Sequence, residues 1–117
     1  MKIISPSGKA QPFSTKESTE IRNSLQKGQV IVYPTDTLYG LGADATSTKA
    51  VDTLYSLKSR ENSPVSVLLS SNHQLFEMAT ALSNKAIELI KAFLPGALTI
   101  ICRSDYGFAP QLISQKG

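Results

Sequence analysis

The stretch best suited to chemistry in this 117-residue chain reads YPTDTLYGLGADA and occupies positions 33–45. Thr35 and Thr37 carry hydroxyls that a ligand can meet, and Gly40 and Gly42 allow close approach of a ligand or another backbone. The spacing is not that of a Walker loop, and Gly-x-Gly alone is too short for a dinucleotide-binding fingerprint. The residues by themselves therefore leave two interpretations open, a ligand-binding loop or an ordinary turn held by Asp and Thr caps.

A second candidate is the pair of cations Lys58 and Arg60, which precedes an apolar run. Arginine binds phosphate as a planar fork and lysine as a point charge, so the pair is suited to a triphosphate. The same charges are also favourable, and simply solvated, at the C-terminal end of a helix. Asp36 and Asp44 are similarly open to two interpretations, as an acid/base or Mg²⁺ pair or, separately, as backbone caps.

His73 and Cys102 are the single histidine and the single cysteine of the chain. They cannot supply the four ligands of a structural zinc site. The polar surroundings of His73 predict a solvated surface side chain, and the apolar run around Cys102 predicts an inert core thiol. One cysteine forms no intrachain disulfide, and the first residues contain no apolar signal segment, so we expect a cytoplasmic protein.

The composition is that of a globular chain, with 41% hydrophobic and 18% charged residues. Twelve Lys and Arg against nine Asp and Glu give a net charge of +3, without a run of adjacent cations. This balance permits a phosphate-bearing partner without requiring one. Since no apolar run approaches the roughly 18 residues of a membrane-spanning helix, we expect no membrane partner. The length predicts one domain, residues 1–117.

Positioning of the candidate residues depends on alternating helices and strands. Ser14-x-x-Glu17 has the form of a capping box, and Gly28 stands where that helix is expected to end. Strands that alternate with helices predict an α/β domain with its sites at strand ends. The predicted elements are helices at 16–27, 49–57 and 83–93, a short helix from 71, and strands at 29–33, 65–69 and 98–102. Along one side of the helix at 49–57 lie Ala50, Val51, Leu54, Tyr55 and Lys58, and the apolar face of the helix at 83–93 is formed by Ile87, Ile90 and Leu94.

The motifs carry more information in combination. The order Tyr-Pro-Thr-Asp-Thr-x-Tyr-Gly-Leu-Gly-x-Asp-Ala, then Lys-x-Arg, then Leu-Pro-Gly-x-Leu-Thr closely resembles the YrdC/Sua5/TsaC family of threonylcarbamoyl-AMP synthases. The similarity extends over residues 14–102. It implies a twisted, open, mixed α/β sheet flanked by helices around a positively lined cavity, of which residues 1–117 form the N-terminal part and leave the sheet incomplete.

The reaction that the resemblance implies converts L-threonine, bicarbonate (or CO₂) and ATP to threonylcarbamoyl-AMP and pyrophosphate. Other proteins then transfer the threonylcarbamoyl group in the t6A37 modification of tRNA. No protein nucleophile is needed, because the amine of threonine attacks CO₂ and the carbamate attacks the α-phosphorus. The same resemblance implies that Thr35 binds threonine and that Lys58, Arg60 and Thr99 bind ATP with Mg²⁺.

One departure from the family pattern is serious. The Ser-Ala-Asn motif and the Val-Arg-x-Pro strand before it do not occur before the last residue, Gly117. An alternative therefore stays open, a truncated, non-catalytic member that binds nucleotide or double-stranded RNA or tRNA. A third possibility, the related carbamoyl-transfer domain of hydrogenase-maturation proteins, is weakened by the lack of zinc-finger or acylphosphatase-like sequence.

Overall fold

The computed structural model describes residues 4, 13–35, 37–59 and 65–114. The chain divides into two compact units, Met1–Glu61 and Asn62–Gly117. The first contains helix α1 (Thr15–Gln26), strands β1 (Ile31–Tyr33) and β2 (Gly40–Gly42), and helix α2 (Thr48–Lys58). The second contains helices α3 (Asn72–Met78) and α4 (Asn84–Phe93) and a 3-10 helix (Pro110–Leu112). This mixture confirms the predicted α/β class, whereas the single-domain interpretation stays a prediction.

Helix α1 begins and ends as its sequence predicts. The Ser14 hydroxyl accepts the Glu17 N–H at 3.3 Å, and the Ser14 N–H donates to the Glu17 carboxylate at 2.7 Å, which completes the capping box. At the other end Gly28 has a φ of 74°, in the left-handed region that glycine adopts without strain. The Gln29 N–H then reaches back to the Ser24 carbonyl at 3.0 Å, as in a Schellman motif.

The capping box makes the stability of α1 depend on pH. The Ser14 hydroxyl, followed by the Ser14 backbone N–H, holds the pKa of the Glu17 carboxyl below its ordinary value of 4.5. Because the folded pKa is the lower one, this stabilisation is present above pH 4.5 and is lost as the pH falls through the folded pKa. We expect α1 helicity, followed by NMR, to fall in that window, and Glu17→Gln to remove the step. A Glu17 titration identical to that of an unfolded peptide would contradict the capping role.

Strands β1 and β2 form an antiparallel hairpin next to α1. Its register pairs Ile31 with Gly42 and Tyr33 with Gly40. The strand predicted at 29–33 is thus confirmed over its last three residues. The connection between the two strands contains Thr35, for which the resemblance predicts a contact with threonine.

Each unit has its own small core. In the first unit the buried residues lie on the face of α2 that the sequence predicted, at Ala50, Val51 and Leu54. In the second unit Ile90 of α4 is fully buried, as expected from the apolar face of that helix, and Ala109 is buried as well. The apolar spacing of both helices therefore predicted which face packs inward.

Two predicted strands, 65–69 and 98–102, are not part of a sheet among the described residues. Burial alternates along both, half-buried with exposed, as the period of a strand requires. The prediction of sheet membership is nevertheless wrong, because a ladder needs a partner strand and the local pattern does not supply one. On their outer sides the side chains of Leu68 and Ile101 are 76% and 99% exposed.

Candidate functional site

Thr35 lies in the connection between β1 and β2, which we call the Thr35 loop (described residues 34–35 and 37–39). Its hydroxyl accepts the N–H groups of Leu38 at 3.2 Å and Thr37 at 3.3 Å. The same hydroxyl donates to the Leu38 carbonyl. The side chain thus closes a tight local turn while remaining exposed to solvent. Of the two interpretations that the residues left open, the turn is formed in this structure, and a ligand contact stays a prediction.

Gly40 and Gly42 make room for an aromatic ring. A Cβ on Gly40 would lie 2.8 Å from Cζ of Tyr33, and one on Gly42 would lie 3.0 Å from Cε1 of the same ring. The close approach that the glycines permit is therefore made by Tyr33. Sequence reasoning missed this residue, although an aromatic side chain opposite Gly-x-Gly was the available signal.

Asp44 acts as a backbone cap ahead of α2. Its carboxylate accepts the Thr46 N–H at 2.9 Å and the Thr46 hydroxyl at 2.7 Å, and its carbonyl accepts the Ser47 N–H at 3.1 Å. Asp36 lies outside the described residues. Within the part of the chain that the structure describes, no group of three His, Cys, Asp or Glu side chains could hold a metal ion. The Mg²⁺ that the resemblance implies stays a prediction.

Lys58 is the last residue of α2 and is half-buried. Ser59 follows in the left-handed conformation, with φ 48° and ψ 36°, and its N–H caps the carbonyls of Ser56 and Tyr55. Ser59 ends the helix directly after Lys58 in this conformation, although the left-handed region costs a non-glycine residue on the order of 1 kcal/mol. Arg60 lies outside the described residues, and the ATP contact that the resemblance implies for both cations stays a prediction.

Thr99 belongs to the second unit and is exposed, in the segment after α4. Asn72 donates from Nδ2 to the Leu94 carbonyl at 2.9 Å, which ties the start of α3 to the end of α4. A Cβ on Gly96 would collide with the Phe93 carbonyl, so the turn that leads to Thr99 requires glycine. Asn72 was also missed by sequence reasoning, because its acceptor lies 22 residues away.

His73 and Cys102 lie in different environments. His73 is 81% exposed, with Nδ1 3.5 Å from the Glu77 carboxylate one helical turn away, which confirms the predicted surface position. Cys102 is half-buried rather than part of the fully buried core. Neither residue has the partners of an activated nucleophile among the described side chains.

A capped helix, a short hairpin with a hydroxyl-bearing loop, and a second capped helix define the first unit as a small α/β module. The family model named Sua5_yciO_yrdC and described as "Telomere recombination" matches residues 23–117. The chain belongs to the Sua5/YciO/YrdC family. The resemblance that its motifs indicated is thereby confirmed.

Individual relatives agree with this assignment. A Mycobacterium tuberculosis relative is 44% identical over 79 residues, which are 67% of this chain and 36% of the relative. The threonylcarbamoyl-AMP synthase of Bacillus subtilis is 40% identical over 84 residues, 69% of this chain and 24% of that protein. The chain therefore spans about a quarter to a third of these relatives.

Solved structures of Sua5 from P. abyssi share the fold. A variant of that protein matches 87% of this chain and 32% of its own, with a TM-score of 0.79 and 26% identity. The complex with L-threonine matches 74% of this chain and 26% of its own, with a TM-score of 0.66 and 29% identity.

None of the helices described for the present chain is both long enough and apolar enough to cross a bilayer.

Proposed function

We propose that this chain provides the threonine-binding and phosphate-binding part of an L-threonylcarbamoyladenylate synthase, a nucleotidyltransferase acting in t6A37 modification of tRNA. The observation that carries the proposal is its similarity to a Sua5 structure that contains L-threonine. The synthase name of the B. subtilis relative supports the same function. The substrates would be L-threonine, bicarbonate or CO₂, and ATP, and the products threonylcarbamoyl-AMP and pyrophosphate.

The proposed chemistry requires the protein to orient the reactants and to stabilise charge on the phosphates. The amine of threonine forms a C–N bond to CO₂ and loses a proton, and a carbamate oxygen then attacks the α-phosphorus as pyrophosphate departs. Because the nucleophiles come from the substrates, catalysis consists of holding the reactants and stabilising phosphate charge.

Thr35 is the proposed contact for the threonine substrate. The residue is exposed, and among the described residues the hydrogen bonds of its hydroxyl are to main-chain groups of its own loop. An amino or carboxylate group of the substrate can replace one of these exposed hydrogen bonds at small net cost, since a hydrogen bond is exchanged rather than lost. The loop would therefore bind threonine with a small local rearrangement.

Lys58, Arg60 and Thr99 are the proposed contacts for ATP, whose phosphates would carry Mg²⁺. The half-buried position of Lys58 at the end of α2 limits the motion of its stem, which favours a defined position for its ammonium group. The roles of Arg60 and Thr99 rest on the family motifs. The proposal places the protein in the cytoplasm, with tRNA and the proteins that transfer the threonylcarbamoyl group acting after it.

Calorimetric titration with L-threonine tests the role of Thr35. We expect Thr35→Val, which keeps the shape and removes the hydroxyl, to weaken binding about tenfold, as loss of one hydrogen bond predicts. Thr35→Ser keeps the hydroxyl and should stay within about threefold of wild type. L-Valine serves as the control ligand. Absence of L-threonine binding by the wild-type chain would contradict the proposed function, and equal affinities of the variants would contradict the role of Thr35.

The lack of a Ser-Ala-Asn motif in residues 1–117 leaves a second candidate function open. In that case the chain binds nucleotide or double-stranded RNA or tRNA without forming an adenylate. Binding of ATP or tRNA without pyrophosphate release dependent on threonine and bicarbonate, even after the segment with the missing motif is added, would favour this alternative.

A further inference from the structure

One face of the β1–β2 hairpin combines a large ring with two residues that lack side chains. Alternate residues of a strand lie on the same face, so Ile31 and Tyr33 share one face of β1. The register places Gly42 opposite Ile31 and Gly40 opposite Tyr33 on that face. The ring of Tyr33 therefore has an open surface of β2 backbone in front of it.

The ring occupies that surface. A Cβ added to Gly40 would lie 2.8 Å from Cζ and 3.0 Å from the hydroxyl oxygen of Tyr33. A Cβ added to Gly42 would lie 3.0 Å from Cε1 and 3.4 Å from Cδ1 of the same ring. Contacts this short exclude an alanine at Gly40 unless the ring moves, and they show that the ring covers both glycines. Cross-strand pairing of an aromatic residue with glycine is a known way to stabilise a strand pair.

This contact lies at the end of the hairpin that adjoins the Thr35 loop. Tyr33 and Gly40 form the last pair of the hairpin before the loop. The tip of the loop contributes little packing, because Leu38 and Tyr39 are 80% and 78% exposed. The conformation of the loop therefore depends on the hydroxyl contacts of Thr35 and on the closing pair beneath it.

We propose that Tyr33 is a positioning residue, whose ring packs on Gly40 and Gly42 and thereby fixes the loop that presents Thr35 to the substrate. The ligand in this statement rests on the proposed function, whereas the effect on the loop does not. Ring carbons approach both glycines, whereas the hydroxyl oxygen approaches Gly40 alone, so we expect the ring to contribute more than the phenol hydroxyl.

Amide-proton exchange of Thr37 and Leu38, measured by NMR on the full chain, tests the effect on the loop. Tyr33→Leu and Gly40→Ala should each accelerate exchange at these amides about tenfold, while amides of α2 keep their wild-type rates. Tyr33→Phe, which retains the ring, should stay within about twofold of wild type. The double variant Tyr33→Leu/Gly40→Ala should exchange no faster than Tyr33→Leu, because the clash with the ring is gone.

Titration with L-threonine gives the second readout. Gly40→Ala and Tyr33→Leu should each raise the dissociation constant of L-threonine about tenfold, and Tyr33→Phe should keep the wild-type value. Uniform acceleration over α1 and α2, unchanged exchange in both single variants, or an effect of Tyr33→Phe as large as that of Tyr33→Leu would overturn the proposal. If the wild-type chain does not bind L-threonine, the proposed function fails while amide exchange still decides whether Tyr33 positions the loop.

Discussion

Pyrophosphate release that depends on both L-threonine and bicarbonate is expected to be at least about a hundredfold slower in residues 1–117 alone than in a chimera that adds the C-terminal segment of a longer relative. The Ser-Ala-Asn motif does not occur in the 117 residues, and the chain spans 24% of the B. subtilis synthase. Two or more missing charge-assisted contacts, each worth about 1.5–3 kcal/mol, produce an effect of this size. Water would also reach the hydrolysable mixed anhydride in an open site.

The same chimera should be less prone to self-association. Large apolar side chains are exposed on the chain, including Leu68 at 76% and Ile101 at 99%, and such groups favour association. Light scattering at matched concentrations measures this difference. A chimera in which alanines replace Ser-Ala-Asn separates the covering of apolar surface from the effect on catalysis.

For pyrophosphate release, robust turnover by residues 1–117 alone, lost in Lys58→Ala, would refute the prediction based on missing contacts and still support the assignment of the site.

Lys58→Ala is expected to weaken ATP binding about tenfold to a hundredfold, which is the loss of one charge-assisted contact to phosphate. Arg60→Ala should have a similar effect, since the two cations are proposed to hold the same phosphates. Fluorescence titration with a labelled ATP analogue measures the affinity, and the difference from wild type should shrink as salt is added. Lys58→Arg keeps the charge and should retain most of the affinity.

The matched control is Lys91→Ala, which removes another lysine from the last turn of a helix, in this case α4. Lys91 is exposed, and no motif assigns it to ATP. If Lys58→Ala and Lys91→Ala bind ATP equally well, Lys58 is a solvated charge at the end of a helix and the phosphate role is wrong.

Features that depend on neighbouring residues were predictable from the sequence. The capping box of Ser14 and Glu17, the glycine at the end of α1 and the buried face of α2 all follow the predictions. Helix boundaries agree because caps and glycine conformations involve residues only a few positions apart. The family was also predictable, because its motifs are short stretches of fixed order.

Only the tertiary structure decided how distant segments meet. The runs at 65–69 and 98–102 have the period of strands, yet pairing depends on a partner that local pattern does not specify. Likewise, the letters Gly-x-Gly do not say whether a ligand or a side chain fills the space, and the hairpin register placed the ring of Tyr33 there. The sequence alone thus determined local conformation, which depends on interactions within one helical turn. It also determined the family, which the motifs identify. Register and packing depend on contacts between residues far apart in the chain, and these decided what surrounds Thr35.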